Sequence, residues 1–487
     1  MSLKTRTADT LKWNAIDRVA SQVLYAVTGV ILARLLTQEE FGLVGAVLVF
    51  QAFASLLVDS GFSYALLQRK RPTRTDYSTV LWFNLAVAVA LYALLYAAAP
   101  WIADLFKGDE RLVPLSRVMF LSFIINATSI VQVNRLTKRM DVRMVAISNA
   151  IGLAVGAVVG IALAVTDFGA WAIVWQTLTL GAVKSLVLWT TQRWRPRAVF
   201  SWSALRSYFG IGSRMMLTSF LNTVFLNIYA FFIGNRTGMV PLGYYTQGDK
   251  WSKMGVMSVY QVITASFLPA LSEAQDAPAR FHNMCSRMNR FTAYLVFPAL
   301  VGLAVMAAPI FHVLFGTKWD PAIILFQILL IRGIFTVLCG LYNNYLLALG
   351  HSRAIMWLEV LRDVGALVAL AITFPYLAQT RPDNPVWGVE ILLWGQLAAA
   401  ALTWAVGLIV VTTRTGLSLG MFARDMAPYL ALTCVGATLM GLCLHVTDTA
   451  WLQLALQTII GGVFYLGANA LAGSVTQREV LVYLRRR

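Results

Sequence analysis

Charged residues are scarce in this sequence of 487 residues. Asp, Glu, Lys and Arg together make up 13% of it, whereas a soluble globular domain carries about 25%. Apolar residues reach 59% and the mean hydropathy is +0.69, so apolar side chains must face lipid as well as one another. This composition excludes a soluble enzyme, a disordered chain and a soluble repeat scaffold.

Residue types that carry chemistry are few and dispersed. The four cysteines suggest no paired framework, and the four histidines show no metal-ligand spacing. The sequence has neither a phosphate-binding Gly-x-x-x-x-Gly-Lys-Ser/Thr run nor a nucleophile elbow. We therefore predict no catalytic residue, no metal site and no cofactor, although an ion gradient of unknown identity could supply energy. The isolated histidines are His282, His312, His351 and His445.

Acidic residues are the scarcer charged type. The sequence has 22 Asp and Glu against 39 Lys and Arg, which gives a formal net charge of +17. Such an excess can indicate a nucleic-acid partner, but a multispan membrane protein also collects basic residues on its cytoplasmic loops. We favour the membrane explanation and predict no nucleic-acid partner. The N-terminus is polar and basic, and the apolar stretch that follows it lacks a small-residue cleavage site, so we predict that this first apolar segment is retained as a span.

Fourteen segments are long enough, at roughly 20 residues each, to cross about 30 Å of hydrocarbon. They predict an all-α polytopic membrane protein with 14 transmembrane helices. Basic residues alternate between the two sides: 24 lie on the side that holds both termini and six on the other. Short cytoplasmic loops hold the Lys and Arg excess, so both termini are predicted to be cytoplasmic. The predicted spans are 15–36, 41–66, 77–100, 112–134, 143–166, 169–191, 205–234, 243–271, 290–315, 321–347, 353–376, 387–412, 426–447 and 451–473.

An internal repeat is visible in the segments that follow the first and seventh spans. Each is an apolar helix, then an outer turn that bears Arg and Thr, then an apolar residue and a glycine, Phe41-Gly42 and Leu242-Gly243. The offset of 201 residues spans six helices, so both copies have the same orientation. Unrelated helix hairpins are the alternative. The repeat predicts four regions: a six-helix lobe at 1–191, a cytoplasmic linker at 192–204, a six-helix lobe at 205–412, and two further helices with a basic tail at 413–487.

Four motifs resemble the bacterial polysaccharide transporter family, whose members include O-antigen and colanic-acid flippases. They are Ile31–Gly42 (ILARLLTQEEFG), Val58–Ser63 (VDSGFS), Leu242–Trp251 (LGYYTQGDKW) and Phe267–Ser272 (FLPALS). The family belongs to the multidrug/oligosaccharidyl-lipid/polysaccharide (MOP) superfamily, whose fold is two six-helix lobes around a central cavity. The resemblance implies a flippase in the bacterial inner membrane. Its substrate would be an undecaprenyl-diphosphate-linked oligosaccharide, carried by alternating access for surface polysaccharide assembly.

Basic residues deep in predicted spans are the candidates for the substrate diphosphate. A buried Arg costs about 2.5–3.5 kcal/mol even on a lenient insertion scale, so it normally faces a watery cavity or an acid. Arg332 lies about 16 Å into the tenth span, counted at 1.5 Å per residue, and Arg214 and Lys253 are also deep. Pairing with acids is the alternative for each, and Asp249 lies one helical turn before Lys253. Arg18 joins the set, although it stands beside Asp17 at the inner end of the first span.

Polar and acidic residues supply the remaining candidates. For the glycan we select Asn222, Asn227, Tyr245, Gln247, Asn343 and Asn344, with packing as the alternative, especially for the aromatic residue. Glu359, Arg362 and Asp363 share one face of the eleventh span, because they are spaced i, i+3 and i+4. This trio is predicted to be a structural ion triad, with proton coupling through Glu359 and Asp363 as the alternative.

Rival functions remain open at this stage. A cation-coupled multidrug exporter and a peptidoglycan-precursor flippase belong to the same superfamily. A multispan glycosyltransferase or an O-antigen polymerase is a different class, but those enzymes usually need a large outer loop or an acidic catalytic motif, and every predicted outer loop is short. The expected partners are the lipid-linked oligosaccharide and membrane lipids, with a polysaccharide polymerase and chain-length proteins as further candidates.

Overall fold

The computed structural model describes residues 3–59, 61–273 and 277–485. These ranges are almost entirely helical, with one isolated β-bridge between Arg381 and Asn384. The helices are α1 Leu3–Leu35, α2 Gln38–Asp59, α3 Phe62–Gln68, α4 Arg74–Leu105, α5 Leu112–Met119, α6 Leu121–Lys138, α7 Arg143–Val165, α8 Trp171–Thr191, α9 Trp202–Thr237, α10 Met239–Glu273, α11 Pro278–Val305, α12 Ala307–Leu314, α13 Asp320–Ala348, α14 Ser352–Thr373, α15 Trp387–Thr415, α16 Leu419–Leu442, α17 Ala450–Leu471 and α18 Val475–Arg485.

Within the described ranges, twelve stretches are long and apolar enough to cross a membrane. The two other predicted spans are α10 and α14, which are long helices with several charged side chains each. α10 carries Asp249, Lys250 and Lys253, and α14 carries the trio around Arg362. Large apolar residues on the outside of the bundle, such as Trp101 and Leu471, are exposed, as expected for a surface that faces lipid. The protein is a multi-pass all-α membrane protein, and the count of fourteen spans stays a prediction.

The chain forms two compact units, one that ends at Gly243 and one that begins at Tyr244. In the first unit α9 packs against α2, α3 and α4. The repeat instead assigns α9 to the second lobe and sets the boundary at 192–204. The repeat boundary reflects similarity between two parts of the sequence, whereas the boundary after Gly243 reflects contacts between helices. The two boundaries therefore need not coincide. The predicted domain boundaries stay predictions.

Glycines let α7 and α8 pack closely in the first unit. A methyl group built on Gly152 would lie 2.7 Å from the carbonyl oxygen of Leu180, and one on Gly156 would lie 2.9 Å from that of Gln176. Gly160 meets the Cβ of Gln176 at the same 2.9 Å. This stripe at four-residue spacing is therefore a helix-packing surface.

A second close approach joins the two glycines that defined the repeat. A Cβ built on Gly42 would lie 1.8 Å from the carbonyl oxygen of Met239, and one on Gly243 would lie 1.9 Å from that of Gln38. Gln38 lies four residues before Gly42, as Met239 lies four before Gly243, so the contact is reciprocal and follows the 201-residue offset. The start of α2 and the start of α10 thus cross backbone to backbone, which only residues without a Cβ permit.

The loop between α4 and α5, on the side that the sequence predicts to be outside, is held by ion pairs. Arg111 donates to Asp109 at 2.7 Å and also pairs with Glu39 at the start of α2. Hydrogen bonds from Arg111 lower the pKa of the Asp109 carboxyl below its ordinary value of 3.8. The same two carboxylates raise the pKa of Arg111, so the three side chains form one charged cluster.

In the second unit α13 is the central helix. It packs against α11 on one side and α15 on the other, and fourteen of its residues are buried, which include Leu325, Leu329 and Tyr345. α14 packs on α15, and α16 packs on α11 and α17. A side chain on the inner face of α13 is therefore enclosed by protein on several sides.

Candidate functional site

Arg332 lies near the middle of α13, twelve residues after Asp320, which is about 18 Å along the helix. Its guanidinium donates a hydrogen bond to the side-chain oxygen of Gln396 on α15. Gln396 is 4% exposed, and its amide nitrogen has no hydrogen-bond partner among the described residues. Within the described part of the chain no carboxylate forms an ion pair with Arg332. A neutral amide holds this guanidinium and leaves its positive charge in place.

Lys253 has an acidic partner on its own helix. Its ammonium lies 2.6 Å from a carboxylate oxygen of Asp249, one turn earlier in α10, and the lysine side chain is 43% exposed. The pairing that the four-residue spacing allowed is thus present. A carboxylate at this distance would compete with a substrate anion for the ammonium, so Lys253 is a weaker candidate for a phosphate ligand than Arg332.

The other two predicted phosphate ligands belong to the first unit. Arg18 is exposed on α1. Its neighbour Asp17 accepts a hydrogen bond from Asn149 on α7 at 3.1 Å. Arg214 falls within α9, but its side chain lies outside the described residues. The assignment of all four basic residues to one diphosphate site stays a prediction.

The six glycan candidates have different surroundings. Tyr245 and Gln247 are buried, and Gln247 accepts a hydrogen bond from Trp251 at 3.0 Å. Asn227 donates to the carbonyl of Thr223 on its own helix, whereas Asn222 is exposed on α9. Asn344 is half-buried on α13. Tyr245 and Gln247 therefore serve packing in this conformation, and their role as glycan ligands stays a prediction.

The predicted trio on α14 forms a continuous ion cluster. Arg362 pairs with Glu359 and with Asp363, the latter at 2.9 Å. Asn343, a glycan candidate on α13, donates to the other oxygen of Glu359 at 3.1 Å. Sequence spacing alone predicted the trio, but it gave no signal that Asn343 would join it from another helix.

The ion cluster borders a cavity that the sequence did not predict. This cavity of about 240 Å³ lies within the second unit and is lined by residues of α10, α13, α14 and α15, which include Tyr260, Cys339, Asn343, Glu359 and Arg362. Most of its wall is apolar, and the charged residues come from α14. Among the described residues, no group of three His, Cys, Asp or Glu side chains could hold a metal ion.

The family model for polysaccharide biosynthesis proteins matches residues 31–324. The chain belongs to this family. Its relatives include the teichuronic acid biosynthesis protein TuaB of Bacillus subtilis (strain 168), 26% identical with 96% of each chain covered. The succinoglycan biosynthesis transport protein ExoT of Rhizobium meliloti (strain 1021) is also 26% identical, over 93% of this chain and 90% of its own. The lipopolysaccharide biosynthesis protein WzxC of Escherichia coli (strain K12) is 25% identical over 69% and 68%.

Solved structures show the fold of this polysaccharide biosynthesis protein. The inward closed lipid II flippase MurJ matches with a TM-score of 0.73 at 14% identity, over 96% of this chain and 99% of its own. An inward-facing multidrug resistance transporter of the MATE family and MOP superfamily matches with a TM-score of 0.61 at 16% identity, over 82% and 98%. The predicted family and the predicted MOP-type fold are confirmed. The relative ExoT is named a transport protein, in agreement with the prediction that the chain is a transporter and not an enzyme.

Proposed function

We propose that this protein is a flippase that moves a diphosphate-linked polyprenyl oligosaccharide from the inner to the outer leaflet of the bacterial inner membrane. The name of the succinoglycan biosynthesis transport protein ExoT supports polysaccharide transport, and the alternation of basic loops supports a cytoplasmic position for both termini. An undecaprenyl carrier and alternating access belong to this proposal. A drug exporter is less well supported, because cationic drugs require acids without basic partners, and the acids Glu359 and Asp363 are both paired with Arg362.

The observation that carries the proposal is Arg332 and its neutral partner. A lipid-linked diphosphate loses water when its charge crosses the membrane, and a guanidinium replaces that water through charge-assisted, bidentate hydrogen bonds. An arginine already paired with a carboxylate would be a poor ligand. Gln396 occupies one donor of Arg332 without cancelling its charge, so the residue keeps the attraction for an anion.

Export assays on substituted full-length protein test this function. The gene is deleted, the lipid-linked glycan that accumulates in the inner leaflet is identified, and variants are tested for restoring its export. Arg332→Ala should lose export at normal membrane levels, and Arg332→Lys should recover only part of it, because the bidentate geometry is lost. Gln396→Glu should also lose export, since a carboxylate at this position neutralises Arg332.

The matched control is Arg353→Ala, which removes an exposed arginine at the start of α14. It should export normally. Full export by both Arg332→Ala and Gln396→Glu would show that the anion does not bind at this guanidinium. If Arg332→Ala instead fails to fold, and removal of an acidic residue restores its folding, then Arg332 is a member of a structural ion pair.

A further inference from the structure

Three arginines gather at one end of the first unit without an acid to neutralise them. Arg74 stands in the first turn of α4, and Arg135 and Arg139 lie at the end of α6. Arg135 lies one helical turn before Arg139, and α6, at whose end both lie, packs against α4. In the part of the chain that the structure describes, none of the three forms an ion pair. We call Arg74, Arg135 and Arg139 the arginine cluster.

The buried acid in the first turn of α4, Asp76, has other partners. Asp76, which is 3% exposed, pairs with Arg69 at 3.3 Å and accepts the backbone N–H of Thr73 at 2.7 Å in a capping box. Arg69 in turn donates to the hydroxyl of Tyr208 at 2.9 Å. Asp76 therefore stabilises the start of α4 and is not free to neutralise the arginine cluster.

One member of the arginine cluster, Arg135, lies over an aromatic ring. The guanidinium of Arg135 lies 5.6 Å from the centre of the Trp194 ring. Trp194 is 2% exposed and meets Tyr77 edge to face, with ring centres 6.3 Å apart. Both rings belong to a buried cluster with Phe62 and Tyr208. A guanidinium over a fixed ring is held in place while its N–H groups stay available.

The segment that contains Trp194 also indicates where the arginine cluster lies relative to the bilayer. It follows the start of α4, because Arg197 and Ser201 donate backbone hydrogen bonds to Ser78 and Thr79. It ends at Trp202, which is 69% exposed. Exposed tryptophans beside basic residues are typical of the headgroup level of a bilayer, where a ring faces lipid and a charge faces phosphate.

We propose that the arginine cluster binds the phosphate group of a membrane lipid. Three guanidinium groups that repel one another are relieved by a shared anion, and each can donate two parallel N–H bonds to phosphate oxygens. A phospholipid headgroup and a polyprenyl diphosphate have this chemistry in common. The site itself does not depend on the proposed flippase function, and only the polyprenyl diphosphate source rests on it.

Ligand titration of the purified full-length protein in detergent tests the site. Thermal unfolding is followed with added phosphatidylglycerol, phosphatidylcholine, farnesyl diphosphate or inorganic pyrophosphate. Arg135→Gln/Arg139→Gln should weaken stabilisation by phosphatidylglycerol about tenfold or more. The control Arg353→Gln/Arg414→Gln removes two exposed arginines of the second unit and the same net charge, and should bind as the unaltered protein does. If the double variant unfolds, Arg139→Gln alone replaces it in the test, because Arg139 is exposed at the end of α6.

The outcomes separate the sources. Stabilisation by phosphatidylglycerol alone identifies a bound phospholipid. Tighter binding of farnesyl diphosphate than of phosphatidylglycerol identifies the headgroup chemistry of the proposed substrate. Both results support the site. An equal loss in the control variant, equal stabilisation by phosphatidylcholine, or pyrophosphate binding as tight as that of farnesyl diphosphate would overturn it. The export assay on Arg332 is independent, so either proposal can fail while the other holds.

Discussion

The reciprocal crossing of Gly42 and Gly243 makes a quantitative prediction. A Cβ on Gly42 would stand 1.8 Å from the carbonyl oxygen of Met239 and one on Gly243 1.9 Å from that of Gln38, whereas ordinary contact begins near 3.4 Å. Either alanine must therefore push the two backbones about 1.5 Å apart, and overpacking of this kind costs about 1–3 kcal/mol. Gly42→Ala and Gly243→Ala should each lower the free energy of unfolding by that amount.

The double variant distinguishes a shared crossing from two separate clashes. One separation of α2 from the start of α10 accommodates both methyl groups, so the second alanine should cost less than the first. We expect the loss in the double variant to fall short of the sum of the single losses by about 1 kcal/mol, within the range of coupled neighbours. The assay is unfolding of the purified protein from mild detergent by added SDS, followed by circular dichroism.

The control for this cycle is Gly210→Ala. Gly210 is exposed in α9, and a Cβ there meets nothing within 4 Å, so the substitution should be neutral or stabilising by about 0.5–1 kcal/mol through helix propensity. Strict additivity of Gly42→Ala and Gly243→Ala, or the absence of any loss, would refute the backbone crossing.

Two further predictions concern charged clusters. Hydrogen bonds from Arg111 lower the pKa of Asp109. Their contribution to stability is therefore complete above the ordinary carboxyl pKa of 3.8 and is lost as the pH falls towards the lower folded-state pKa. Arg111→Gln should make acid unfolding, monitored by circular dichroism, less steep below about pH 4, and an unchanged profile would contradict the pairing. If proton coupling runs through the α14 cluster, Glu359→Gln/Asp363→Asn should abolish the dependence of export on a pH gradient at normal protein levels; retained dependence would leave these acids with a structural role only.

Spacing along one helix was predictable from the sequence, and contacts between helices were not. The Glu359–Arg362–Asp363 trio and the pairing of Lys253 with Asp249 follow from i, i+3 and i+4 geometry, and the structure contains both. Nothing along the chain indicated that Gln396, 64 residues from Arg332, would be its partner. The one available signal was Gln396, a single amide in the apolar sequence of α15. To predict its contact with Arg332 would have required knowing which face of α15 packs against α13.

The number of spans was also predictable only in part. Twelve of the fourteen predicted spans overlap stretches that satisfy length and apolarity, because a long apolar run has few alternatives to a span. α10 and α14 each contain several charged residues, among them Lys253, Glu359 and Asp363, and those charges weaken the hydropathy signal. A single charge does not have this effect, since the stretch Thr317–Ala348 satisfies both criteria although it contains Arg332.

The charge of Arg332 explains why an amide is a better partner than a carboxylate for a transporter. A carboxylate would remove most of the cost of about 2.5–3.5 kcal/mol for a buried arginine but would also remove its attraction for an anion. Gln396 offers one acceptor and keeps the guanidinium oriented between α13 and α15. The amide therefore lowers the desolvation cost in part and retains the charge. Under the proposed function, a residue held in this way exchanges a weak neutral contact for a stronger, charge-assisted one when a diphosphate binds, and returns to the amide when the diphosphate leaves.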